Sequence, residues 1–415
     1  GAAPWGAATT GSGKRIPPHG IMSRPLRLLI LNYEYPPIGG GAGTGCKFLA
    51  QELAKRGHLV EVVTSAFENL PRNSFRQYPG GGSLRIRRIP VLRREAGRCR
   101  PHEMATFILS AFAHLLFRGD LRRFDALLSF HTIPSGVPAW PWSWWCNVPH
   151  VVLFRGGDVP GFLPGELQLL HRITYPLNSA IVLQSRLALA NSHGLRRMAQ
   201  RAFPFKEIGV IQNGVDARLF HPGDRFEVPA KAGTSCRLMF AGRMTSQKGL
   251  DTLGAALVLL KDLPWEITLA GEGPERGPLE ELLRQEGLID RARFLGWQDR
   301  LGLAKEYRRA DVFVFPSRYE GMPNALLEAL SSGCAVVATP IAGSVDLVQH
   351  GETGLLTPVD DSQALANALR QLIEVPEKRR ELGSNARREI LAHWAWSTRA
   401  GELEAMLKEL SFRNS

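Results

Sequence analysis

Short apolar runs alternate along this chain with stretches in which apolar residues recur every three or four positions. The first kind predicts buried strands and the second predicts helices. Residues 26–32 read as a strand and 44–56 as a helix that Gly57 ends. Residues 58–64 are a second strand, completing a β-α-β unit. Further on, strands are expected at 126–130, 150–154, 238–241, 266–270, 293–295, 311–315, 335–338 and 354–357, with helices between them. Such alternation predicts an α/β protein with parallel sheets. The 415 residues suffice for two domains. The expected division is a disordered leader over 1–21, a first domain over 22–218, a second over 219–393 and a last amphipathic helix within 394–415. Pro222, Gly223 and the polar residues up to Thr234 read as the linker.

Residues 126–154 contain no Lys, Arg, Asp or Glu, a length that invites a membrane span. Pro134, Pro138, Pro141 and Pro149 interrupt it, so strand, helix from about Ser135, and strand fit better. Trp140, Trp142, Trp144 and Trp145 lie on that helix, either packed beneath the sheet or at an interface. Residues 104–117 form an apolar helix, in the core or at an interface. The first 21 residues are small and rich in Pro and Gly, without the apolar core of a secretory signal, and Met22 could be a true start.

The net charge of +12 is uneven: residues 1–220 hold 27 Lys and Arg against 12 Asp and Glu, and the remainder is slightly acidic. A basic front half implies an anionic partner such as a lipid surface or a phosphorylated acceptor. Seven arginines and one glutamate fall between Arg85 and Arg100, as a solvated face or a membrane-surface patch. No nucleic-acid-reading motif is present, so nucleic acid is not expected as a partner. Five scattered Cys form no C-x-x-C, which points away from zinc knuckles and disulfides and towards a reducing cytoplasm.

The densest chemistry lies in residues 311–340. A strand is followed by Pro316, a loop, and a helix whose first position Pro323 is expected to take. Gly333 ends that helix. Free N–H groups near Gly321, Met322 and Asn324 make an anion site. Glu320 stands beside it, and Glu328 lies less than two turns along. A carboxylate can accept two hydrogen bonds at once, which suits the vicinal diol of a ribose. The alternative is a glutamate complementing the helix dipole and another in solvent. Leu326, Leu327, Ala329 and Leu330 around Glu328 favour the first reading.

Other candidates stand at predicted strand ends, where open α/β sheets bind ligands. The loop 33–43 contains Gly39, Gly40, Gly41 and Gly43, where backbone can approach a ligand closely. It is no dinucleotide fingerprint, because the third glycine and the acidic residue ending strand two are missing. His131 ends one strand, and Arg155 to Asp158 the next. Gly242, Arg243 and Lys248 follow the first strand of the second domain without forming a P-loop. Both cations suit phosphate oxygens.

The run E-G-M-P-N-A-L-L-E-A from Glu320, with the preceding P-S and the following G-C-A-V-V-A-T, resembles the E-x7-E signature of family 4 glycosyltransferases. A-N-S at 190–192, N-G-V-D at 213–216 and A-G-R with Q-K-G at 241–249 resemble the family as well. The resemblance implies the GT-B fold: two Rossmann-like β/α/β domains facing a central cleft, with the C-terminal helix crossing back to the first domain. It implies a retaining transfer of a hexosyl or N-acetylhexosaminyl group from a UDP- or GDP-sugar with no other cofactor, and the missing Asp-x-Asp motif points to a metal-independent reaction in which basic side chains do that work. Arg243 and Lys248 would clamp the diphosphate, Glu320 would grip the sugar, and Glu328 would hold the ribose. Gly40, Gly41, Gly242, Gly321, Met322, Pro323 and Asn324 would line the donor site, and Gly296 with Trp297 would hold the base. His131 is the candidate catalytic histidine, shifted by one from the family pattern when aligned through Pro134-Ser135-Gly136. Arg155 replaces a second histidine; with Asp158 it is expected on the acceptor side. The acceptor would be a glycan, a cell-surface polysaccharide precursor or a lipid-linked sugar, met in the cytoplasm or at the inner face of a membrane. The alternatives are a nucleotide-sugar epimerase of the same fold and a nucleotide-sugar-binding protein without turnover.

Overall fold

The computed structural model describes residues 24–95, 99–162, 168–224 and 235–412. The expected leader, Arg98 and most of the expected linker lie outside them. The first sheet contains β1 (Arg27–Leu31), β2 (Leu59–Ser65), β3 (Asn73–Gln77), β4 (Ser83–Ile89), β5 (Ala126–Phe130), β6 (His150–Phe154), β7 (Leu187–Ala190) and β8 (Ile208–Val210). Its spatial order is β3-β4-β2-β1-β5-β6-β7-β8, and every pairing is parallel except β3 with β4. The second sheet contains β9 (Cys236–Ala241), β10 (Trp265–Ala270), β11 (Ala292–Gly296), β12 (Val312–Phe315), β13 (Ala335–Ala338) and β14 (Leu355–Leu356), in the order β11-β10-β9-β12-β13-β14. Both are doubly wound sheets, and strand order reverses between β1 and β5 and between β9 and β12. The GT-B architecture is present.

Register places side chains on two faces of the first sheet. Leu28, Val60, Leu128 and Val151 pack with the helix Gly41–Lys55 and with Trp396, Ala400, Leu403 and Leu407 of the last helix, Trp396–Phe412. The last helix therefore returns to the first domain, and Arg56 and His58 pair there with Glu404. Leu29, Leu127, Val152 and Ala188 point the other way. Helices Pro101–Leu116, Val137–Cys146, Gln168–Gln184 and His193–Ala202 cover that face.

Three expectations change. The first helix begins at Gly41 rather than Thr44, so the glycine loop ends inside a helical first turn. Pro323 is the N-cap residue, in extended conformation, and Asn324 takes the first helical position. Three of the seven arginines between 85 and 100 are not free surface cations. Arg87 pairs with Glu61, and Arg88 is buried and donates to the carbonyl of Pro71. The Arg93 side chain is almost fully buried and donates to Tyr33 and Glu95 carbonyls. These cations are spent on holding the β4 edge and the loop after it.

Candidate active site

The site forms where both switch points face each other. Strand β9 ends at Ala241. The chain passes Gly242, whose N–H donates to the Ala270 carbonyl at 2.9 Å, and Arg243, which is exposed. A short 3-10 turn, Ser246–Lys248, then brings Lys248 back beneath β12. Its ammonium pairs with the Glu320 carboxylate and lies 5.4 Å above the Phe315 ring. Gly249 makes this possible: its φ is +66°, and a Cβ there would stand 2.2 Å from the Pro316 carbonyl oxygen. Gln247 fixes the opposite loop by donating to the Tyr319 carbonyl at 2.8 Å. Thr339 holds it from below through the Ser317 carbonyl.

Glu328 lies on the buried side of the helix Asn324–Ser331, 8% exposed. Its carboxylate sits 3.2 Å from Arg300 Nη1. Burial pushes its pKa up to about 7, against the pull of Arg300. The solvated reading of Glu328 therefore fails; the leucines around it bury the helix face it occupies. Gly296 ends β11 with φ +67°, and Trp297 beyond it is exposed.

The first domain supplies the other wall. Asn324 accepts from Asn213 Nδ2 at 2.8 Å, and its amide reaches the Gly41 carbonyl at 3.5 Å. Gly40 N–H donates to Glu34 at 3.2 Å. The start of the helix Asn324–Ser331 and the glycine loop thus meet across the cleft. Gly321 is pressed against the first domain, where an added Cβ would lie 2.9 Å from the Arg155 carbonyl and 3.0 Å from Asn191 Oδ1.

His131 follows β5 with φ +74°, a conformation side chains rarely adopt, and its ring packs 5.4 Å from Tyr33. The Arg155 guanidinium donates to Asn213 at 2.9 Å and lies 4.4 Å over Phe130. Burial lowers its pKa to about 10. Asp158 accepts from the backbone N–H groups of Arg155, Gly156 and Thr132, so its carboxylate ties the β6 end to the β5 end. Among the described residues, His131 Nδ1, Thr132 Oγ1, Arg155 Nε and Nη2, and Asn191 Oδ1 are buried without hydrogen-bond partners. They stand at the ends of β5, β6 and β7. This rim faces the cleft at the C-terminal ends of the strands, where open α/β sheets bind ligands.

Glu320, Lys248 and Arg243 are therefore gathered at one switch point, with Glu328 in the helix beyond and Gly40 and Gly41 opposite. Arg300, Asn213, Asn191 and Gln247 escaped assignment from sequence. Arg300 lies 28 positions before Glu328 and has no local signature. Asn213 and Asn191 sit in segments that carried the family resemblance but gave no role.

Residues 39–219 match the model of glycosyltransferase family 4, and residues 224–389 match that of glycosyl transferases group 1. The N-acetyl-alpha-D-glucosaminyl L-malate synthase of Bacillus anthracis is 25% identical over 86% of this chain and 90% of its own. Sucrose-phosphate synthase from Thermosynechococcus elongatus superposes with a TM-score of 0.79 at 24% identity, covering 94% of this chain and all of that one. Anabaena HepE in complex with UDP-glucose gives 0.70 at 20% identity, over 92% and 100%. Two family models end to end, across a cleft where Asn324 of the E-x7-E run reaches the glycine loop, settle the membership: this chain belongs to the family 4 glycosyltransferases.

Proposed function

We propose that the protein is a retaining, metal-independent glycosyltransferase that takes a hexosyl or N-acetylhexosaminyl group from a UDP- or GDP-sugar. The carrying observation is the Lys248–Glu320 pair beside exposed Arg243 at the second switch point. On donor binding, Lys248 exchanges Glu320 for a phosphate oxygen, and Arg243 takes another. The two cations stabilise the diphosphate as it leaves, where charge develops in the transition state. Glu320, released, holds sugar hydroxyls and supports positive charge at the anomeric carbon. Glu328 holds the ribose diol. Attack from the front face within an ion pair would keep the anomeric configuration. The acceptor is a glycan or a lipid-linked sugar on the first-domain rim, where Arg155, Asn191 and His131 offer polar atoms. On this reading the work is done in the cytoplasm, at the inner face of a membrane when the acceptor is lipid-linked. Among the described residues no helix is long and apolar enough to cross a membrane.

The test begins by screening nucleotide sugars by thermal shift. A donor at 100 times its dissociation constant stabilises by about 2.7 kcal/mol. With that donor, Arg243→Ala should lower turnover by ~100-fold, by analogy with loss of one oxyanion donor. The variant should melt within about 0.5 kcal/mol of wild type, because Arg243 is exposed. Excess EDTA should leave activity intact. Turnover abolished by EDTA and restored by Mn²⁺ would refute the metal-independent reading. Sugar isomerised with no acceptor product would make the protein an epimerase, and binding without hydrolysis or transfer a scaffold.

A further inference from the structure

Four helices cover one face of the first sheet, and their outer surface has an unusual composition. Helices Pro101–Leu116, Val137–Cys146, Gln168–Gln184 and His193–Ala202 contain one acidic residue between them, Glu103. That residue is buried, accepting from the backbone N–H groups of Arg94 and Arg100. The outer surface of these helices therefore carries no carboxylate. It carries exposed Arg172, Arg196, Arg197 and Arg201.

The same surface exposes large apolar side chains. Leu109 and Phe117 stand out from the first of these helices and its end, Trp144 and Trp145 from the second, and Leu169 and Ile173 from the third. Phe117 is 86% exposed and Trp144 79%. The four helices are joined in a row: the Phe112 ring lies tilted 5.8 Å from Trp142, Trp140 donates to Gln184 at 2.8 Å, and the Tyr175 hydroxyl donates to the Ala202 carbonyl at 2.9 Å. Soluble monomers rarely leave apolar area of this extent uncovered.

We propose that this helical face seats the protein on an anionic lipid surface. Exposed Trp and Phe enter the headgroup region, where aromatic side chains are favoured, while arginines face lipid phosphates. The charge argues against a second copy of the chain. Two such faces would bring arginines together with no carboxylate to pair them. Leu109, Leu169 and Ile173 have no π-face, so a stacked nucleic acid strand gains nothing from them. The proposal deepens the reading of a lipid-linked acceptor, and it moves the membrane contact away from the arginines of residues 85–100.

The experiment uses the full chain with vesicles of equimolar phosphatidylglycerol and phosphatidylcholine, and with phosphatidylcholine alone. The protein should sediment with the first at low salt and not with the second. Each arginine near such a surface contributes about 1 kcal/mol, roughly fivefold in partition. Arg172→Gln with Arg197→Gln should therefore lower binding roughly 25-fold. Phe117→Ser, Trp144→Ser and Trp145→Ser together should abolish sedimentation. These side chains are exposed, so melting temperature and nucleoside diphosphate affinity should stay at wild-type values. Wild-type protein that stays in the supernatant, or a triple variant that sediments as wild type does, would overturn the proposal. So would a wild-type dimer that the triple variant converts to monomer. Vesicle binding without any nucleotide binding would sink the enzymatic reading and leave the surface standing.

Discussion

Burial pushes the Glu328 carboxyl up to about 7 while Arg300 opposes it. A carboxyl whose pKa is higher folded than unfolded holds its proton in the native state between about 4.5 and 7. Its cost to stability is absent at low pH and grows as pH rises through that window. The shift from 4.5 to about 7 corresponds to about 3 kcal/mol at most. Ligand binding runs the opposite way, since an ionised carboxylate accepts from a diol better than a protonated one. Glu328→Gln should therefore melt close to wild type at pH 5 and above it at pH 8, by an amount of order 1–3 kcal/mol. Wild-type affinity for the nucleoside diphosphate should rise from pH 5 to 8, and that of the variant should stay flat and weaker. A variant that melts below wild type at pH 8 would show that the Arg300 ion pair outweighs burial.

The loop between β9 and its helix depends on one backbone conformation. Gly249 joins the Ser246–Lys248 turn to the helix Leu250–Val258 at φ +66°, beneath Pro316. A methyl group there meets a carbonyl oxygen at 2.2 Å, so backbone rather than a flexible side chain must yield. Gly249→Ala should destabilise by about 1–3 kcal/mol in a urea melt and should weaken donor binding by displacing Lys248. Retained stability and affinity would mean the turn has slack that the structure does not show. This loop also marks what sequence can express. The strand β9, the cations after it and the helix were legible, because apolar runs and glycines carry local signals. That Lys248 would turn under β12 to meet Glu320, 72 positions later, was not, because no local pattern encodes a tertiary ion pair. The same holds for Arg300 beneath Glu328. The run from Arg85 to Arg100 reads as a solvated face or a membrane patch, and Arg88 and Arg93, which are buried, fit neither, for the mirror reason. Sequence shows a run of charge but not the acceptors that take it inside.

At the scale of the whole molecule, the site exists because two domains touch. Arg243, Lys248, Glu320 and Glu328 lie in the second domain, and the rim of His131, Arg155 and Asn191 lies in the first. The two chain crossings run side by side, with Val215 N–H donating to the Trp394 carbonyl at 2.8 Å. Across the cleft, the helix His193–Ala202 directs its N-terminus at Asp346, which accepts from His193 N–H at 2.8 Å and from Gln212 at 3.2 Å. Gly194 permits that approach: a Cβ there would stand 2.4 Å from the Ala342 Cα. Gly194→Ala should wedge the domains apart without touching either binding surface. Turnover should fall about 10–100-fold, since misplacement by an ångström can cost that much. Nucleoside diphosphate affinity should change little, because Arg243, Lys248 and Glu328 all belong to the second domain. Small-angle scattering should report a larger radius of gyration. Asp346→Asn, which weakens the same contact without a wedge, should move both quantities in the same direction by less. An enlarged radius of gyration with wild-type turnover in Gly194→Ala would mean that this arrangement of the domains is not the one in which the sugar is transferred, and unchanged scattering would mean that the contact yields without parting them.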